Sequence, residues 1–449
     1  MTFVLSEQAV REAVGLPGGA ADRIYSTVST DTRTLTPGSL FIALEGEHFD
    51  GHDFLPAALE AGAVAAMVRT GTAVPGGLAP IPVPDTLWAY GLLARARRRS
   101  VPGPVVAITG TNGKTSTKEM VAAVLRVRYR THATRANLNN LVGVPQTILE
   151  APEDVEALVV EAGANRPGEI ARYREIIEPD VAVVIGAGAG HLEGFGSVEA
   201  VMNEKLSLTR GVPLALVGLE PGGLAEGARA RGAAEVLTAG LEEGDIRPER
   251  LMMGSDGRPT VKIDGRSFTL PLVGRHQAGN ALFAWGIARA LGIELDAAAE
   301  ALEAVRIPGG RGELVQVGGL TVINDCYNAN PASFRAAVQV AGQLRGARRL
   351  VFVAGSMLEL GPDAERLHRE IAEELVALAP DLLAVVGDFV PAIAARASEL
   401  GDRLITAPDA PSLAPVLAGR LRGDELVVLK ASRGVALERI LPAITSRPA

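Results

Sequence analysis

A lysine and a hydroxyl, Lys114 and Thr115, stand directly behind the glycine-bounded turn Gly110-Thr111-Asn112-Gly113, and the apolar run Val105-Val106-Ala107-Ile108 leads into it. Residues of these types in this order make a phosphate cradle. Loop N–H groups and the start of a following helix, expected from about Ser116 to Arg128, aim partial positive charge at an anion. Lys114 adds a full charge, and the Thr115 hydroxyl suits Mg²⁺. The stretch from Gly110 to Ser116 therefore points to a nucleoside triphosphate. The widespread G-x-x-x-x-G-K-[ST] loop has glycine where Ile108 stands, so this loop is shorter, and an ordinary strand-turn-helix corner is the alternative for these residues alone.

In open parallel sheets ligands sit beyond the carboxyl ends of the strands, which directs attention to the polar residues there. Glu161 ends the strand candidate beginning at Leu158, and His191 follows the one from Val181 to Ile185. With Thr115 they supply a hydroxyl, a carboxylate and an imidazole, a set able to hold the divalent cations that neutralise a triphosphate. Taken singly, each also reads as an ordinary surface or loop residue. So does Lys205 on the next helix pattern. Arg311 offers a fork donor for phosphate, and Asp325 an acceptor for a ribose hydroxyl or a cap for the following turn.

The elements that must position these groups follow from composition and punctuation. The chain has 449 residues, enough for about three domains at one per ~150. Hydrophobic residues make up 47% but aromatics only 4%, so the core is built from Ala, Val, Leu and Ile, as in parallel sheets buried on both faces. Breaks at Val101-Pro102-Gly103-Pro104 and Ile307-Pro308-Gly309-Gly310-Arg311-Gly312 divide the chain. Between them, strand candidates at Leu158, Val181 and Leu214 to Gly218 alternate with helical patterns. After the second break the rhythm restarts, with strands at Leu320 to Asn324, Leu350 to Ala354, Leu382 to Val386 and Leu426 to Leu429. Helices at Ser333 to Leu344 and Ala364 to Leu378 separate them. The expectation is an α/β protein of three domains: a mixed α/β domain over 1–102, a central parallel-sheet domain over 103–309, and a Rossmann-like domain over 310–449.

A net charge of −8 argues against general nucleic-acid or anionic-membrane binding. The basic run Arg95 to Arg99 reads as a solvated helix end. Cys326 is the only cysteine, which precludes an intramolecular disulfide or a cysteine metal cluster and suits a reducing compartment. Met1 leads into the chain without a basic leader, and no apolar run approaches the ~18 residues of a membrane span. The expected location is the cytoplasm.

Taken together, the residues resemble the Mur ligases, ATP-dependent amide ligases of cell-wall precursor synthesis. The resemblance covers nearly the whole chain. It is carried by the short phosphate loop, by Asn137-Leu138-Asn139-Asn140-Leu141-Val142-Gly143-Val144-Pro145, by Gly274-Arg275-His276-Gln277-Ala278-Gly279-Asn280-Ala281, and by the Arg311 hinge. Three longer signatures, Glu161 to Ile170, His191 to Ser197 and Asp325-Cys326-Tyr327-Asn328-Ala329-Asn330-Pro331, are similar to the branch that adds D-alanyl-D-alanine to UDP-N-acetylmuramoyl-tripeptide. Thr30-Asp31-Thr32-Arg33 looks like the segment that holds the uridine diphosphate end.

The resemblance implies a central domain like a P-loop ATPase, and roles at matched positions. Lys114 would meet the β and γ phosphates, Thr115 and Glu161 one Mg²⁺, and His191 a second. Lys205 would carry a carbamate formed with carbon dioxide, becoming an anionic metal ligand that completes the catalytic set with Lys114, Glu161 and His191. Asn280 would contact adenine, Arg311 the terminal phosphates and Asp325 the ribose. Asn139 and Asn140 would face the precursor, and Asn328 and Asn330 the dipeptide. The enzyme would act as a monomer on small molecules through an acyl phosphate, without nucleic acid or stable membrane insertion. Four positions depart from the usual pattern: Gly186 for Asn, Ala162 for Met, Gln277 for Asn and Ser356 for Asp. A sister ligase adding one amino acid, a P-loop kinase or NTPase, and a silent nucleotide-binding scaffold are the rival readings.

Overall fold

A computed structural model describes residues 4–18, 22–46 and 48–445. Met1 to Phe3, where the leader would begin, lie outside them. Among the described residues no helix is long and apolar enough to cross a membrane. The architecture is α/β, as composition implied, and among the described residues rests on four sheets. A central one runs in the order Glu235–Thr238, Leu214–Val217, Val181–Val184, Val105–Thr109, Ala157–Glu161, Thr131–Ala133. The chain gathers into two compact units: Met1–Ala107, Tyr129–Ala164 and Gly168–Ala182 form one, and Ile108–Arg128, Asn165–Pro167 and Val183–Ala449 the other.

In the first unit, Val28–Ser29, Leu40–Ile42, Ala65–Arg69 and Ala79–Val83 make a four-stranded parallel sheet. One of its faces is closed by Val10, Tyr25, Tyr90 and Leu93, the other by Leu55, Ala58 and Leu78. Helix Thr86–Arg98 starts on Asp85, whose carboxylate accepts from Trp88 N–H, and ends in the basic run. Here the structure corrects the sequence reading, because the run is only partly solvated. Arg97 is buried and donates to the carbonyls of Ala151 and Pro152, at 3.2 and 2.7 Å, and to Ser100 Oγ. Arg98 holds the Ile177 carbonyl and Asp180, and Arg99 pairs with Glu178. The arginines are staples: their guanidinium forks tie the helix end to carbonyls and carboxylates remote in sequence.

In the second unit the carboxyl-terminal sheet runs Glu313–Val317, Leu320–Asp325, Leu426–Lys430, Leu350–Ala354, Leu382–Val386, Leu404–Ala407. Its inner strands are buried throughout, and two apolar clusters cover its faces. All neighbours pair in parallel except the first two. That antiparallel edge strand and a three-stranded antiparallel sheet, Arg250–Met253, Pro259–Ile263 and Arg266–Thr269, were not anticipated. The latter turns at Asp264-Gly265, both at positive φ of 49° and 74°, the backbone that a two-residue hairpin demands. The phosphate-loop helix spans Lys114–Leu125, starting two residues earlier than expected because Gly113 caps it in the left-handed conformation.

Arg97→Ala should cost roughly 1–3 kcal/mol, since it takes the guanidinium donor from the buried Ala151 carbonyl, whereas Arg99→Ala, at an exposed ion pair, should stay within about 1 kcal/mol. Urea denaturation of both variants checks this. Equal effects would return Arg97 to the solvated class.

Candidate active site

The phosphate loop leaves strand Val105–Thr109 and is shaped by groups remote in sequence. Gly113 has φ 79°, which strains any side chain there, and a Cβ would stand 2.5 Å from Asn280 Oδ1, so Asn280 would have to give way. Thr111 N–H donates to the Gly186 carbonyl at 3.0 Å, and Thr111 Oγ1 accepts from Gly188 N–H at 2.9 Å. Lys114 Nζ curls back to the loop carbonyls of Gly110 and Thr111, at 2.9 and 3.2 Å, which fixes its charge over the turn. Thr115 and Ser116 are buried behind it. Asn280, also buried, donates to Gln277 Oε1 at 3.1 Å. Gln277 thus serves to orient Asn280.

Three further contacts assemble polar groups of the second unit. Asn112 and Asn330 exchange amide hydrogen bonds of 3.2 and 2.7 Å. Asn330 also caps helix Pro331–Arg345 through a reciprocal capping box with Ser333. His191 Nδ1 meets Glu359 Oε2 at 2.5 Å. Both residues sit at positive φ, 56° and 64°, a conformation non-glycine residues adopt at a cost. The His191 ring beside Glu359 holds its carboxyl below the usual range. Asp325 pairs with the buried Lys430 at 2.7 Å, and Lys430 also donates to the Asn328 carbonyl at 2.7 Å.

Lys205 is 1% exposed. Burial, reinforced by the nearby charge of Lys114, pushes its amine down to about 7. Arg311 lies over the Tyr327 ring, 3.5 Å from guanidinium carbon to centroid.

In the first unit, Glu161 ends its strand buried, accepting from Asn139 Nδ2 at 2.9 Å while its own N–H donates to Thr134 Oγ1. Asn140 Oδ1 accepts from the N–H groups of Val142 and Gly143, which ties it to the start of helix Gly143–Leu149. Asp31 caps the turn Thr32–Thr34 and holds Arg33 at 2.6 Å, leaving that guanidinium largely exposed. Thr30 sits half-buried beside them.

Among the described residues no three His, Cys, Asp or Glu side chains converge as a cation cage. The expected donor set mixes residue types and contains only two of these. Glu359 and Lys430 went unnoticed in the sequence. Lys430 is the last residue of its strand and Glu359 follows Leu350–Ala354 in the adjacent one, so the strand-end rule that found Asp325 applied to both. The departures are accommodated locally. A Cβ on Gly186 would stand 2.8 Å from the Glu220 carbonyl, and Ser356 Oγ accepts from Asp388 N–H at 2.8 Å.

Comparison with known proteins matches most of the length. The Mur ligase family catalytic domain matches residues 24–128, the Mur ligase middle domain 108–288, and the Mur ligase glutamate ligase domain 310–433. The UDP-N-acetylmuramoyl-tripeptide–D-alanyl-D-alanine ligase of Bacillus subtilis is 35% identical over 94% of this chain and 93% of its own. The crystal structure of MurF from Acinetobacter baumannii is 29% identical and superposes with TM-score 0.89 over 99% of this chain and 100% of that one. MurF from Thermotoga maritima, solved with ADP, is 28% identical with TM-score 0.83 over 94% and 97%.

The amide exchange between Asn112 and Asn330 predicts coupling. Asn112→Ala and Asn330→Ala should show an interaction energy of about 1 kcal/mol in a denaturation double-mutant cycle. Asn330→Ala alone should cost a further ~1 kcal/mol for the lost cap. Strict additivity would remove the pair from the account.

Proposed function

The chain belongs to the Mur ligase family, and on that premise we propose an ATP-dependent ligase that adds D-alanyl-D-alanine to UDP-N-acetylmuramoyl-tripeptide, releasing ADP and phosphate. The observation that carries this is the end-to-end match to ligases of that name together with the glycine-lined phosphate loop. The proposed organisation is a precursor-binding domain over 1–102, an ATP domain over 103–309 and a closing domain over 310–449. Thr30, Asp31, Thr32, Arg33, Asn139 and Asn140 are assigned to the precursor, and Asn328 and Asn330 to the dipeptide side. We place the enzyme in the cytoplasm as a monomer.

A carboxylate is a poor acyl donor because its leaving group would be an oxide. Attack by the tripeptide's terminal carboxylate on the γ-phosphate gives an acyl phosphate and ADP. The dipeptide amine then attacks the acyl carbon, and the tetrahedral intermediate expels phosphate as the amide forms. The protein's share is positional and electrostatic. Lys114, already aimed across the loop, offsets charge where carboxylate and triphosphate meet, and the loop N–H groups bind phosphate oxygens. Asn280 orients adenine, Asp325 the ribose, and Arg311 the terminal phosphates. Closure about Gly309-Gly310 would exclude the water that hydrolyses an acyl phosphate. Gly310 and Gly312, at φ 77° and 71°, have the freedom for it.

Two Mg²⁺ ions would neutralise the triphosphate. Thr115 and Glu161 are assigned to one and His191 to the other. The Thr115 hydroxyl and Glu161 carboxylate suit a hard cation that keeps water and phosphate as its remaining ligands, and the imidazole of His191 is the less usual donor for it. Lys205 supports a carbamate on chemical grounds, because carbon dioxide reacts with the neutral amine and a buried amine titrating near 7 is substantially neutral at pH 7–8.

An acceptor panel with ATP, Mg²⁺ and UDP-N-acetylmuramoyl-tripeptide, followed by product mass, should yield the D-alanyl-D-alanine adduct. Product with a single amino acid instead would move the chain to a sister ligase. Glu161→Gln should lose at least ~100-fold in turnover while staying folded. Lys205→Ala should be slow and partly rescued by a small carboxylic acid, and wild-type protein in ¹³C-bicarbonate should give a carbamate resonance absent from the variant. Wild-type rates in Lys205→Ala would exclude the carbamate.

A further inference from the structure

Tyr327 collects two guanidinium groups at the carboxyl edge of the last sheet. Arg311 lies over its ring at 3.5 Å, and Arg433, from the turn after strand Leu426–Lys430, at 5.2 Å from the same centroid. Neither arginine is paired with a carboxylate among the described residues. The other cation of that edge, Lys430, is committed to Asp325 and the Asn328 carbonyl. Two full positive charges drawn to one ring repel each other, and an anion received between the forks relieves the repulsion.

The position of Arg433 is fixed by its neighbour. Ser432, 4% exposed, donates its N–H to the Ser356 carbonyl at 3.0 Å and its hydroxyl to the Ala329 carbonyl at 3.3 Å, and it accepts from Leu358 N–H at 3.0 Å. One serine thereby clips together the loops that follow three adjacent strands. The turn Arg433–Val435 rises directly from that clip, with Arg433 and Gly434 exposed.

We propose that Arg433 binds the free carboxylate of the acceptor dipeptide. This rests on the ligase reading above. In that reading the acceptor must turn its amine toward the acyl phosphate, so its opposite end presents a carboxylate that needs a fork donor. Arg311 and Lys114 are occupied with the triphosphate. Arg433 is the remaining unpaired cation beside the Ala329 and Ser356 loops, and its shared ring with Arg311 sets the acceptor carboxylate next to the phosphate-binding arginine. Arg433 is thus a specificity residue that selects a dipeptide with a free carboxyl terminus.

The test compares D-alanyl-D-alanine with D-alanyl-D-alaninamide, which keeps the amine and lacks the carboxylate, in wild type, Arg433→Ala and Arg433→Lys. In wild type the amide should raise KM by about 10- to 100-fold, the worth of a charge-assisted bond. Arg433→Ala should raise KM for the acid by a similar factor and no longer distinguish acid from amide. Its KM for ATP should stay within about twofold, and Arg433→Lys should fall between. A raised KM for ATP with acid-amide discrimination intact would put Arg433 on the triphosphate and overturn the proposal, as would unchanged constants. If Arg433→Ala melts well below wild type, the wild-type acid-amide ratio and Arg433→Lys decide. Absence of any product with D-alanyl-D-alanine in wild type would instead remove the ligase reading itself.

Discussion

Gly113, at φ 79° and with the Asn280 side chain pressed against it, sets the shape of the phosphate loop. The left-handed turn it makes brings the first amides of helix Lys114–Leu125 to the mouth of the loop, while Asn280, 2.5 Å from where a Cβ would stand, fills the space from a helix far along the chain. Gly190 is similarly close to Thr111, where a Cβ would lie 2.7 Å from Cγ2. A loop this short cannot fold over an anion by its own length. It is shaped from outside, through the bonds of Thr111 to Gly186 and Gly188 and through the amide pair of Asn112 with Asn330. The glycine that the longer loops carry at the position of Ile108 is dispensable here, because neighbouring segments supply the curvature.

The Asn330 contact ties this constraint to the carboxyl-terminal sheet. Asn330 Oδ1 serves two donors, Ser333 N–H within its own cap and Asn112 Nδ2 across 218 positions. A capping residue is already held rigid by its helix, so it offers the loop a fixed acceptor without ordering a new side chain. His191 and Glu359 repeat the pattern less cheaply, with two non-glycine residues at positive φ holding one ion pair. Strain of this kind persists where surrounding structure over-determines it, and here it coincides with a side chain assigned to metal.

The α/β class and the strands of the carboxyl-terminal sheet were legible because parallel strands buried on both faces leave unbroken apolar runs, and Leu350–Ala354 and Leu382–Val386 fall where those runs do. The phosphate loop was legible because its chemistry depends on residue types in sequence order. What escaped was set by tertiary partners. Arg97 looks like any surface arginine until Ala151 and Pro152 end a segment against it. The hairpin at Asp264-Gly265 did leave a signal, the turn dipeptide itself, in strands too short and too exposed to register as apolar runs.

The buried lysines separate structural from chemical charge. Lys118, Lys205 and Lys430 are each almost fully removed from solvent. A lone ammonium there costs several kcal/mol, and a neighbouring carboxylate is the usual remedy. Lys118 has Glu119 at 2.5 Å and Lys430 has Asp325 at 2.7 Å. The Lys205 amine has no ion pair within 4 Å among the described residues; burial and the charge of Lys114 act against its charged form, and Glu204 acts for it. As an ammonium it sits awkwardly in its place, buried and near a second cation, with the adjacent Glu204 only partly offsetting both. As the proposed carbamate it would suit the same position, since an anion would answer Lys114 and could offer oxygens to a metal. The environment that makes the cation costly is also what leaves the amine neutral enough to react, so one burial accounts for both the tolerance of Lys205 and its assigned chemistry.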